Sequence, residues 1–145
     1  MLSSELLACA LVALSLFNLD AGALESRTLS VTVKYQGAGS VDEAHRLFVL
    51  VFDTSYIGHE GVKPIASRSM AGNGETAPFE LVGSPVYVAV FYDRGGACSD
   101  DCAEPPSGSP AALYGAQPGQ ADPIEIPKEE TKAISVSFDD SMIMP

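Results

Sequence analysis

The stretch Pro85 to Asp93 reads PVYVAVFYD, with Val86, Val88 and Val90 on one side and Tyr87, Ala89 and Phe91 on the other. This is the period-two alternation of an extended strand. The same alternation recurs at short intervals. Thr28 to Tyr35 sets Leu29, Val31, Val33 and Tyr35 against Thr28, Ser30, Thr32 and Lys34, and Thr131 to Asp139 puts Ile134, Val136 and Phe138 on one face. Arg46 to Asp53 (RLFVLVFD) is apolar on both faces, as a central strand covered on each side would be. Pro64 to Met70, Thr76 to Val82 and Asp122 to Pro127 supply shorter strand candidates, and Gly72-Asn73-Gly74 is a turn signal. With 13 Gly, 10 Pro and no Trp, the composition fits a turn-rich fold better than long helices. The reading is an all-β chain of about seven short strands, folded as an antiparallel two-sheet β-sandwich.

One segment stands apart from this pattern. Leu6 to Phe17 is an apolar run of 12 residues, shorter than the roughly 20 that anchor a helix in a bilayer. Ala21-Gly22-Ala23 follows, a small-x-small triplet of the kind signal peptidase accepts. The chain therefore divides into a signal peptide, 1–23, and a β-sandwich domain, 24–145. Export to the periplasm or the extracellular space is expected, with no stable membrane insertion after cleavage. Two readings compete here, a buried N-terminal helix of a cytosolic protein and lipid attachment at Cys9. Glu5 also stands where a positive charge is usual, and in lipoproteins the apolar run precedes the cysteine, whereas here most of it follows. Loss of residues 1–23 removes Cys9, Glu5 and Asp20, leaving two cysteines and 17 acids against 8 bases, a net charge of −9. A chain so acidic, −11 before cleavage, is excluded from binding nucleic acid through its phosphates.

The succession LSVTVKY, RLFVLVFD, Pro-Ile-Ala-Ser, PFELVGSPVYVAVFYD, Tyr-Gly and AISVSFDD resembles the bacterial prealbumin-like or carboxypeptidase-regulatory-like sandwich domain over about residues 28 to 140. The turn Leu81-Val82-Gly83-Ser84-Pro85-Val86-Tyr87 leading into the strand that ends at Asp93 carries most of the likeness. The resemblance implies a secreted module that binds or supports rather than catalyses. After Asp93 the usual acidic Gly-rich loop is replaced by Arg94-Gly95-Gly96-Ala97-Cys98-Ser99-Asp100-Asp101-Cys102, which removes the side-chain oxygens expected at alternate positions.

Chemistry is sought in the long segment Arg94 to Gln120. Cys98 and Cys102 are read as a local disulfide in an oxidising compartment, with a redox pair or a zinc site as alternatives. Asp93, Asp100, Asp101 and Glu104 are candidate calcium ligands for a site suited to millimolar extracellular calcium, against the plainer reading of a solvated acidic loop. Those four acids and Tyr114, an exposed aromatic anchor within the ordered stretch Ala112 to Gly115, form the expected contact loop for an unidentified protein or small-molecule ligand. A tolerated surface insertion is the alternative. His45 and His59, near Glu43 and Glu60, are read as surface histidines. Met142 and Met144 offer two thioethers, soft donors that suit Cu(I), or else a frayed terminus. No catalytic motif is present and no resident cofactor is expected. The functional expectation is an exported, non-catalytic binding or structural module. The alternatives are a metal-handling protein using calcium or copper, and a small hydrolase whose acids converge in three dimensions.

Overall fold

The computed structural model describes residues 26–145, so the stretch 1–23 expected to be a signal peptide, Cys9 included, lies outside the described residues. Among the described residues seven strands follow one another without a helix: β1 (Arg27–Tyr35), β2 (Leu47–Phe52), β3 (Ala66–Met70), β4 (Thr76–Leu81), β5 (Tyr87–Tyr92), β6 (Ala111–Leu113) and β7 (Thr131–Phe138). They form two sheets, one in the order β4-β1-β7 and the other β3-β2-β5-β6. This is the two-sheet sandwich that the alternation predicts.

The alternating residues meet between the sheets. Leu29, Val31 and Val33 of β1, Val49 and Val51 of β2, and Val88 and Val90 of β5 are at most 1% exposed in one continuous core, with Ile134, Val136 and Phe138 of β7 beside them. Each such side chain contributes on the order of 1.5–3 kcal/mol by leaving water. Pro78, which has no amide to donate, sits in β4 opposite Ser30 at the edge of its sheet, where a strand can lack donors on its outer side.

β2 is buried at all six positions. Its outward residues Phe48, Leu50 and Phe52 join Phe91 and Ala111 in a second cluster on the outer face of the four-stranded sheet. The Phe48 and Phe91 rings stack in that cluster with centroids 4.8 Å apart. Ile57 and Val62 from the β2–β3 connection, the two cysteines, and Met144 pack over it.

Two features differ from the sequence expectation. Asp122 to Pro127 is not a strand but touches the sheet by a single bridge, Ile124 with Val86. Pro123 and Pro127 lack the amides that a continuous ladder requires, and Ile124 and Ile126 plug the core instead. The second difference is that β1 and β7 run parallel, with Thr28 opposite Thr131 and Tyr35 opposite Phe138, while the other pairs are antiparallel. The stretch 114–130 carries the chain back to the end where β1 begins. There Glu129 donates its amide to Ser26 and Glu130 accepts the amide of Thr28. A return of that length is what parallel neighbours need.

Candidate functional site

At the end of β5 the chain turns on Asp93, which is 2% exposed. Its backbone amide bonds the Arg46 carbonyl at 2.9 Å, and its two carboxylate oxygens accept the amides of Ala97 at 3.1 Å and Cys98 at 2.9 Å. Gly96, with a φ of 66°, lets the backbone fold back over the carboxylate. Cys98 and Cys102 are joined, their Cα atoms 5.4 Å apart, within the usual span of a disulfide.

The remaining acids of the loop have separate duties. Asp100 pairs with Arg46, whose guanidinium also donates to Ser69 Oγ at 3.0 Å. Asp101 accepts the Ser99 hydroxyl at 2.6 Å, and that bond holds its carboxyl below the usual range. Glu104 lies away from these, on the wall of a cleft described below. Among the described residues no three His, Cys, Asp or Glu side chains are grouped to hold a metal ion. The candidate calcium set Asp93, Asp100, Asp101 and Glu104 is thus not gathered into one shell, because Asp93 is spent on organising its own loop and Asp100 on Arg46.

Tyr114 corrects the expectation of an exposed anchor. It extends β6, with its amide on the Val88 carbonyl at 2.9 Å and its own carbonyl accepting from Asp122 at 2.8 Å, and its half-buried ring packs on the main core. His45 bonds Asp42 Oδ1 at 3.0 Å rather than the neighbouring Glu43, and the Asp42 carboxyl is held low by that side-chain bond first.

The same end of the sandwich carries a clamp of tyrosines. Tyr35 and Tyr92 stack with ring centroids 4.3 Å apart, and Tyr92 donates to the Ser40 carbonyl at 2.7 Å. The Tyr35 hydroxyl donates to Asp140 Oδ1, which Arg94 also meets at 2.9 Å, while the Ala38 amide binds Oδ2 at 2.9 Å. Gly37 closes against this group, since a Cβ there would collide with Asp140 and the Tyr35 hydroxyl. These groups tie the loops at this end together.

Space is found instead on the outer face of the four-stranded sheet, as a cleft of about 350 Å³. Its floor is Leu50, Phe52, Ala89 and Phe91, each on the outward side of β2 or β5. One wall is the β2–β3 connection, through Ile57, His59 and Val62. The rest of the lining comes from Ala103 to Pro105, from β6, and from Met142 and Met144. The segment Arg94 to Gln120 therefore does reach the cleft, through Ala103, Glu104 and Pro105 and through β6 rather than through Tyr114.

Met142 and Met144 are legible in the sequence as a pair of thioethers, but no motif or spacing joins them to His59, which lies far upstream. The available signal was β2 itself. A strand apolar on both faces requires a cover on the second face, and Ile57 and Val62 are the nearest apolar residues downstream. Compared with family models, with curated proteins and with solved structures, the chain finds no match in any of the three.

Proposed function

We propose that the protein is an exported, non-catalytic binding module of the prealbumin-like type, and that its ligand occupies the cleft over the four-stranded sheet. The carrying observation is the cleft itself. Its volume, about 350 Å³, falls in the range of small-molecule sites, and its floor is apolar with a few polar groups, His59 and Glu104, at its walls. Export is supported by the short apolar run ending in Ala21-Gly22-Ala23 and by the joined Cys98 and Cys102. The ligand class this favours is a compact, largely apolar molecule, since burying apolar area supplies most of the affinity and the protein's negative charge discourages anions.

The test uses the neutral fluorophore N-phenyl-1-naphthylamine. The native protein is expected to bind it at a single site with enhanced emission. Ala89 is a small residue on the floor, so Ala89→Phe fills the cleft and is expected to abolish binding while thermal unfolding stays cooperative. No binding by the native protein, or equal binding by a folded Ala89→Phe variant, overturns the proposal.

A further inference from the structure

The geometry points to a soft-metal site in the cleft, in which the thioethers of Met142 and Met144 and the imidazole of His59 bind Cu(I). This deepens the reading of the cleft as the binding site and rests on it.

The chain after β7 lies extended along the start of β6. Ile143 bridges Pro110, the Ala111 amide bonds the Met142 carbonyl at 3.0 Å, and the Met144 amide bonds the Ser109 carbonyl at 2.9 Å. In an extended segment, residues two apart share a side and the one between them faces away. Met142 and Met144 accordingly both line the cleft, while Ile143 does not and is 41% exposed. Their backbones are about 7 Å apart along such a strand. That gap is easily closed by two side chains with three rotatable bonds each, which bring both sulfurs to one ion.

His59 lines the same cleft from the β2–β3 connection. Its loop is fixed by backbone bonds, from the His59 amide to the Tyr56 carbonyl at 3.2 Å and from the Val62 amide to the His59 carbonyl at 3.1 Å, and its ring meets Tyr56 edge-on at 5.5 Å. The cleft thus offers two thioethers and one imidazole, with Glu104 as a single carboxylate on the wall.

This donor set selects among metals. Calcium and magnesium require shells of oxygen, which the cleft does not supply. Zinc favours thiolates and imidazoles, and Cys98 and Cys102 are bonded to each other. Thioether sulfur is a soft donor, and a small number of soft donors in an apolar setting suits Cu(I), which accepts low coordination. The plainer role for Met144, apolar cover over the Phe48 cluster, requires its shape and not its sulfur.

That difference is the basis of the test. Cu(I), kept reduced with ascorbate, is titrated against the competing chelator bicinchoninate. Ag(I), a redox-inert soft surrogate, is titrated while the methionine methyl resonances are followed. One Cu(I) per chain is expected, with Ag(I) moving the Met142 and Met144 methyls and leaving that of Met70, buried on β3, in place. The double variant M142L/M144L keeps volume and apolarity, so it is expected to unfold like the native protein and to lose about two orders of magnitude in Cu(I) affinity. His59→Ala is expected to lose about tenfold.

If the chelator strips the native protein completely, or if a folded M142L/M144L binds Cu(I) as the native protein does, the metal site is refuted. The naphthylamine titration separates this result from the cleft reading. Dye bound without Cu(I) leaves the cleft and removes the metal. Cu(I) binding that depends on the two methionines, in a protein that binds no dye, removes the apolar ligand and keeps the metal site.

Discussion

Asp140 shows how much one half-buried side chain can organise when its partners are rigid. The Tyr35 hydroxyl, then the Ala38 amide, and Arg94 beside them hold its carboxyl below the usual range. Tyr35 moves the opposite way, pushed up first by burial and then by the Asp140 carboxylate. The two shifts act at opposite ends of the pH scale. A carboxyl whose folded value is depressed stabilises the fold above about pH 4, and that contribution is lost as the pH falls through the folded value. A phenol whose folded value is raised stabilises the fold below about pH 10, and that contribution is lost as the pH rises through it. Urea midpoints measured from about pH 2.5 to about pH 10.5 are expected to fall at both ends. Asp140→Asn is expected to flatten the acid limb and to soften the alkaline one. An acid limb as steep as that of the native protein would show that Asp140 contributes nothing to it.

Among the elements, β2 is the hinge between the two apolar layers. Leu47 faces the sandwich interior and Leu50 the outer cluster, and they are 0% and 2% exposed. Leu47→Ala leaves a hole enclosed on every side and is expected to cost about 3–4 kcal/mol. Leu50 already borders the cleft, so Leu50→Ala removes fewer packed contacts and is expected to cost about 2 kcal/mol. Chemical denaturation of the two variants gives the comparison, and a Leu50 cost equal to or above that of Leu47 would mean that the outer layer is packed as tightly as the core.

The same strand marks how far the sequence is legible. Its double apolar face announces two layers, and the alternation in β1, β5 and β7 places the interior residue by residue, because a period of two is a local property of the chain. The parallel pairing of β1 with β7 is not local, since it depends on where a seventeen-residue return delivers the chain. The placing of His59, Met142 and Met144 on one cleft is equally non-local, as it needs the β2–β3 connection and the chain after β7 to settle on one sheet face. An aromatic ring in a Gly- and Pro-rich stretch reads as exposed, whereas the pairing of β6 with β5 lays Tyr114, half-buried, against the core.

For the molecule as a whole, charge is the dominant global property. At −11 over the sequence, like charges repel in the compact state, and the ion pairs Arg46–Asp100 and Arg94–Asp140 offset only part of that. Screening should relieve the repulsion. Raising sodium chloride from about 20 to about 300 mM is expected to raise the melting temperature by about 2–5 °C. A fall over that range would show that the ion pairs outweigh the repulsion. The parallel pairing of β1 with β7 also has a consequence in time. A chain delivered amino end first presents β1 at the outset and the strand that flanks it last, whereas β2 and β3 are consecutive and β5 follows them after β4 alone, so these three can pair soon after they emerge. The four-stranded sheet is thus free to assemble early, while β1 pairs only with β4 and waits with one edge bare until synthesis or translocation has all but ended.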